Sequence, residues 1–338
     1  MKTYHIAAFF SIAVILLSAS CRQSSSVTKT GEDTRVEKKL KSPAKFNRDS
    51  AYSYVRHQVS FGPRVSGTPE NVACRKYIVN ELTRHGGKNV RVQTGEVEAF
   101  NGDRLPIGNV MASFGPDVKD RILLVAHYDT RPWCDSDMNE ENRLKPVIGA
   151  NDGGSGVGVL LEVARSLGQT EPPIGVDFLM VDAEDYGQAS GFSTHDTSWC
   201  LGTQYWVKHM PYAQDSLPRY AVILDMVGGI GAKFHREFFS EENARNIVDK
   251  VWSIAARSGY DSRFVNKNGG SVVDDHLFIN DAGIPAIDII ESKNDNTGTF
   301  PPTWHTINDT MENIDPASLE AVGQTVLNLI HNEIVCKE

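Results

Sequence analysis

The sequence predicts an α/β fold: a single domain on a mostly parallel mixed sheet with helices on both faces. Three observations predict it. Short apolar runs alternate with segments of helical periodicity along most of the chain. Runs such as Ile122 to Ala126 and Val176 to Val181 are continuously apolar, as strands buried on both faces are. His, Asp and Glu residues follow directly on the ends of these runs, where the working loops of parallel sheets lie. No internal repeat interrupts this order.

Residues 1–20 read as a signal peptide: one Lys, an apolar run from Ile6 to Leu17, then Ser18, Ala19 and Ser20. The run is too short to span a bilayer comfortably as a helix. Cys21 after three small residues resembles a bacterial lipoprotein cleavage site, although Ser18 stands where that pattern usually has Leu. Export as a periplasmic or membrane-anchored lipoprotein is expected, with simple secretion as the alternative. Residues 21–44 are the lipoprotein Cys and a polar, flexible tether, and residues 45–338 form the folded domain.

Within that domain Thr68 is the expected N-cap and Pro69 the first residue of a helix carrying Val72, Ala73, Tyr77, Ile78 and Leu82 at helical spacing. Gly86-Gly87 closes it. Strand-like runs follow at Val90 to Val97, Gly108 to Ser113 and Ile122 to Ala126. The later elements are a helix at Val157 to Leu167, a strand at Val176 to Val181, a helix at Gly202 to His209 and a strand at Ala221 to Leu224. Then come a helix at Glu241 to Ser258, a strand at Ile284 to Ile290 and a final helix from Pro316 to Ile334.

The formal net charge of -9 disfavours nucleic acid and anionic membrane as partners of the folded surface. Membrane attachment is expected only through a lipid on Cys21. That leaves Cys74, Cys134, Cys200 and Cys336, which permit three pairings in an oxidising compartment or stand as separate thiols. A bridge between Cys134 and Cys200 is the favoured pairing, because both fall in loops after motif-bearing segments.

The chemistry gathers at strand ends. His127-Tyr128-Asp129 follows Ala126, Asp182-Ala183-Glu184-Asp185 follows Val181, and Asp225 follows Leu224. Gly149-Ala150-Asn151-Asp152-Gly153-Gly154-Ser155-Gly156 adds Asp152 ahead of a helix, and Trp304-His305-Thr306 adds a second His. Asp152 alone has a plainer explanation as a helix N-cap, and Glu184 and Asp185 alone could be solvated loop acids. Converging, they form a donor set suited to zinc, which takes imidazole and carboxylate and keeps one position open in catalytic sites. Glu184 and Asp185 then divide the work, one carboxylate on the metal and one moving protons.

In order and separation these motifs, with Leu224-Asp225-Met226, resemble those of the zinc aminopeptidase family, and the likeness runs from about Phe61 to Ile334. That family includes dinuclear aminopeptidases and mononuclear glutaminyl cyclases. Asp274-Asp275-His276 and Trp304-His305-Thr306 are similar to the cyclase branch, as is Phe61-Gly62-Pro63-Arg64-Val65 with the following Ser66 to Glu70. The resemblance implies a zinc aminopeptidase-like fold and one Zn2+ per chain on Asp152, Asp185 and His305. It implies Glu184 as general acid/base, with Asp225 and Asp275 completing a carboxylate network. Asp185 departs from the family in standing where many relatives have Glu. His127 is either hydrogen-bonded beside the metal ligands or a ligand of a second zinc.

Trp304, Trp199 and Leu277 are the expected walls of the substrate pocket, with Trp133 and Phe300 as weaker candidates; packing is the commoner role of such side chains. The segment from Tyr186 to Trp199 is expected to loop over the site. The implied activity is cyclisation of N-terminal Gln of peptides or proteins to pyroglutamate with release of ammonia. A zinc aminopeptidase is the alternative, and a non-catalytic lipoprotein that binds peptides or glycans is a third reading, disfavoured by the complete set of metal and proton-transfer residues.

Overall fold

In the computed structural model, residues 45–189 and 196–334 are described, and one compact unit holds them all. The expected signal peptide and tether, Cys21, Cys336 and part of the loop between Tyr186 and Trp199 lie outside the described residues.

Two helices lead into the sheet. In α1 (Arg48–Val59), Asn47 caps the first turn and Ala51, Tyr54, Val55 and Gln58 are buried. This helix is not among the elements expected from the sequence. Its inward stripe carries a Tyr and a Gln, which blur the helical period. In α2 (Pro69–Arg84), Thr68 accepts from the Asn71 N–H at 3.3 Å and Pro69 opens the helix, as expected.

β1 (Lys88–Glu98), β2 (Arg104–Phe114) and β3 (Arg121–His127) precede α3 (Gly154–Gln169), β4 (Gly175–Val181), α4 (Leu201–Lys208) and β5 (Ala221–Asp225). The short β6 (Phe234–Arg236) leads to α5 (Phe238–Arg257), which starts earlier than expected because the Glu237 carboxylate caps the Ser240 N–H. β7 (Phe264–Asn268), α6 (Asp275–Asp281), β8 (Ala286–Ile290) and α7 (Pro316–His331) complete the order. β6, β7 and α6 are too short to leave a periodic signal.

The six-stranded sheet runs β1-β2-β4-β3-β5-β8. β4, β3, β5 and β8 are mutually parallel, whereas β2 runs antiparallel to both β1 and β4. This is the mostly parallel mixed sheet that the sequence implied. Ile122, Leu124, Ala126, Val176, Phe178 and Met180 enter the larger core under α1, α2, α3, α5 and α7. Leu123, Val125, Leu179 and Val181 enter a second core with Trp206 of α4 and Ile279 of α6. Apolar residues on both sides of each strand explain the uninterrupted runs. From β3 the chain goes to β4 on one side and later to β5 on the other. The crevice beyond the carboxyl end of β3 is therefore the topological switch point, where open α/β sheets bind ligands.

Among the described residues, no helix is long and apolar enough to cross a membrane. Cys74, Cys134 and Cys200 are buried free thiols, so the expected Cys134–Cys200 bridge is absent. Loop position after a motif does not bring two sulfurs together.

Candidate active site

The His127 ring closes β3 at the switch point. Its Nε2 lies 3.1 Å from Asp152 Oδ1 and 3.1 Å from Asp225 Oδ1, and its Nδ1 lies 3.5 Å from Asp129 Oδ1. Asp152 comes from the loop before α3. Its own N–H and that of Asn151 donate to the Asp309 carboxylate, which fixes the loop. Gly153, not Asp152, occupies the N-cap position, and no side chain caps that helix. The plainer role for Asp152 is thus absent. A Cβ on Gly153 would stand 2.4 Å from the His127 carbonyl oxygen, so the glycine is what lets this loop reach β3.

Glu184 and Asp185 turn back over the same crevice from the end of β4. Their N–H groups donate to the two oxygens of Asp129 at 3.1 Å each. His305 Nε2 lies 3.2 Å from Asp185 Oδ1 and 3.6 Å from Asp152 Oδ2, while its Nδ1 faces Asp135 at 3.3 Å. Ala183, Cys200, Met226 and His305 all hold left-handed backbone, with φ between 47° and 57°. Among the described residues only Asn89 joins them as a non-glycine with positive φ. Such strain persists where the surroundings enforce it, characteristically at functional sites.

Two donor sets share Asp152: Asp152, Asp185 and His305, and His127, Asp152 and Asp225. The residues fit a metal. Both oxygens of Asp185 are buried without a hydrogen-bond partner, a costly state that a cation relieves. Carboxylate and imidazole donors suit zinc, and a carboxylate behind each imidazole is the usual support for such ligands. Burial raises Glu184 well above the ordinary carboxylate range, His127 opposes that rise, and Asp274 adds to it. Burial and then Asp274 push Asp275 up to about 8, and burial takes Asp225 to about 7 against its bond to His127. Burial opposes charging His305, but Asp185 and Asp135 outweigh it and raise the imidazole to about 9.

A cavity of about 270 Å³ opens beside these groups. Trp199, Phe300 and Trp304 line it together with Asp152, Glu184, Asp185, Asp225 and His305. Trp304 stacks on His305, the ring centroids 3.7 Å apart. Two expectations differ from what is seen. Leu277 lies on α6 outside this lining, and Asp274 rather than Asp275 forms the wall beside Glu184. Adjacent acids in sequence give no signal of which one faces inward. Trp133 also lies outside the lining, packing edge-on to Phe100 and Tyr186. Asp129, Asp135 and Asp309 orient the site residues, yet only Asp129 belonged to a recognisable motif. Cys200 was expected in a disulfide; instead its thiol donates to Glu184 Oε1 at 3.2 Å. A larger cleft of about 440 Å³ borders Arg121 and Tyr212, but Arg121 and Tyr212 already pair its buried carboxylate, Asp177.

The mostly parallel sheet, the switch-point crevice and the paired carboxylate–imidazole sets are those of a zinc exopeptidase-like α/β fold, and residues 109–330 match peptidase family M28, to which the chain belongs. It is similar to the glutaminyl cyclase of Bacteroides thetaiotaomicron crystallised with N-acetylhistamine, with 48% identity and a TM-score of 0.82 over 86% of this chain and 99% of that one. It is also 24% identical over 313 residues to bovine glutaminyl-peptide cyclotransferase, covering 79% of each. Aminopeptidase YwaD of Bacillus subtilis is 27% identical over 223 residues, 65% of this chain, and this chain spans only 42% of its length.

Proposed function

We propose that this chain is a zinc-dependent glutaminyl cyclase that converts N-terminal Gln of peptides or proteins to pyroglutamate and releases ammonia. The observation that carries the reading is the aromatic-walled cavity that Glu184 lines together with the Asp152, Asp185 and His305 set. Its likeness to a cyclase over nearly the whole of that enzyme supports the same reading.

Asp152, Asp185 and His305 would hold one zinc per chain, which when bound would supply Lewis acidity to a carbonyl oxygen. Trp199, Phe300 and Trp304 enclose the Gln side chain and keep water from competing with the amine. Glu184 accepts a proton from the substrate α-amine as that nitrogen bonds to the side-chain amide carbon. It then returns the proton to the amide nitrogen, which leaves as ammonia when the carbon–nitrogen bond breaks. The Cys200 thiol engages Oε1, which leaves Oε2 for this transfer. Burial, with Asp274 adding to it against His127, raises Glu184, which makes its carboxylate a stronger base toward the amine proton. The attacking amine must be neutral, and its free pKa of roughly 7.7 to 8.0 sets a mildly alkaline optimum.

A second reading rests on the His127, Asp152 and Asp225 cluster, which would hold a second metal in a zinc aminopeptidase. Metal analysis with two peptides separates them. One zinc per chain and ammonia from a Gln-initiated peptide supports the cyclase. Two zincs and free Leu from a Leu-initiated peptide supports the aminopeptidase, and overturns the proposal if no ammonia appears. Export and lipidation at Cys21 are part of the proposal, supported by the apolar run and the small residues before that Cys. Radiolabelled palmitate incorporated into the wild type and lost in Cys21→Ala is the expected result.

A further inference from the structure

Arg131 is buried in the loop that follows His127, its side chain 1% exposed. Nε and Nη2 donate to the two oxygens of Asp135 at 2.8 and 2.6 Å, a fork-to-fork pair. Asp135 in turn faces His305 Nδ1 at 3.3 Å. Nη1 donates to the backbone carbonyls of Asp185 at 3.2 Å and Gly187 at 3.1 Å, and lies 3.5 Å from Asp185 Oδ1. The face of the guanidinium lies 4.7 Å from the ring centre of Trp199, a wall of the cavity.

We propose that Arg131 is a positioning residue for the metal set: one planar cation that fixes His305 through Asp135, fixes Asp185 through its backbone, and braces Trp199. The inference rests on reading Asp152, Asp185 and His305 as the zinc ligands. The geometry requires a guanidinium. Two edges must be satisfied at fixed angles while the face stays free for an indole, and an ammonium offers neither edge nor face. Removing the guanidinium leaves Asp135 part-buried without its partner, free to draw His305 out of line. The carbonyls of Asp185 and Gly187 lose their donor in the same step. Groups that orient metal ligands from behind typically change metal affinity by about 10- to 100-fold when removed.

The test uses the full chain as Arg131→Met, Arg131→Lys and Asp135→Asn, each stripped of metal and titrated with zinc against a chromophoric chelator. Melting temperatures and the KM and kcat for a Gln-initiated peptide at saturating zinc are measured alongside. Arg131→Met is expected to weaken zinc binding by about 10- to 100-fold, Arg131→Lys by less, and Asp135→Asn in the same direction. KM at saturating zinc should rise in both Arg131 variants, because Trp199 loses its brace. A role in folding alone would lower the melting temperature and leave zinc affinity unmoved. Folded variants that bind zinc within about twofold of wild type overturn the proposal. If Arg131→Met fails to fold, the other two variants decide by the same criterion. A wild-type chain that binds no zinc overturns the metal reading itself, whereas tight wild-type binding with unchanged variants overturns only the role of Arg131.

Discussion

Glu184 and Asp185 are consecutive and both buried, yet their surroundings assign them different work. Asp185 presents two buried oxygens that accept no hydrogen bond, with Oδ1 facing the His305 ring at 3.2 Å, a state suited to a metal ligand. Glu184 keeps a hydrogen bond from Cys200, and burial, with Asp274 adding to it against His127, holds it well above the ordinary carboxylate range, the state of a group that exchanges protons. Substitution should separate them. Glu184→Gln keeps size but cannot accept the amine proton, so turnover should fall by about 10² to 10⁴-fold while bound zinc stays near normal. Asp185→Asn should lose zinc and activity together, since a neutral amide is a poor ligand. Zinc lost from the first variant and kept in the second would reverse the assignment. Asp152→Ala and His305→Ala should each lower zinc content and activity, because each removes one of three protein ligands. An unchanged zinc stoichiometry in either would sink the ligand set.

At the scale of elements, the site depends on a joint beneath it. The Asp182 carboxylate accepts from Asn71 at 2.9 Å, the Gly108 N–H at 3.0 Å, Tyr128 at 2.8 Å and the Ala183 N–H at 2.9 Å, and from Ser66. It thereby ties α2, β2 and the ends of β3 and β4 together. Burial, and then Asp129, raise it to about 6 against these bonds, from about 3.9 for a free aspartate. A carboxyl raised in the folded state contributes stability that is present below the unfolded pKa and lost as pH rises through the folded one. Asp182→Asn should be less stable by about 1 to 3 kcal/mol, because donors lose their acceptor. Between pH 4 and 7 the wild type's advantage should shrink. Urea midpoints across that range check it, and a constant difference would count against the assignment. The strands that flank this joint were legible in the sequence because burial on both faces leaves unbroken apolar runs. Thr68-Pro69 likewise announced α2. α1 and α6 were not legible, the first for its polar inward stripe and the second for its seven residues. At the site, residues on strand ends could be read from order alone. Choosing Asp274 over Asp275, or finding Asp135 behind His305, required the fold, since both depend on side-chain direction at loop positions without a period.

Over the whole molecule, acidic side chains converge on one cavity. Asp152, Glu184, Asp185, Asp225 and Asp274 all line a single cavity. Their mutual repulsion and desolvation disfavour the metal-free fold, and a cation among them relieves both. A ligand that binds only the folded state stabilises it by RT ln(1 + [L]/Kd), about 2.7 kcal/mol at a hundredfold excess over Kd. Chelation should therefore lower the melting temperature by several degrees, with restoration by zinc. The same measurement counts the metals. If one zinc sits on Asp152, Asp185 and His305, Asp225→Asn should keep the chelator-dependent shift, because Asn still accepts from the His127 ring and touches no bound ion. Its metal-free form should even melt slightly higher than the wild type, since a carboxyl that burial raises to about 7 has been replaced by a neutral group. Asp185→Asn should lose the shift. If two zincs bind, Asp225→Asn should give up half of the metal and part of the shift, and the one-zinc proposal falls with that result.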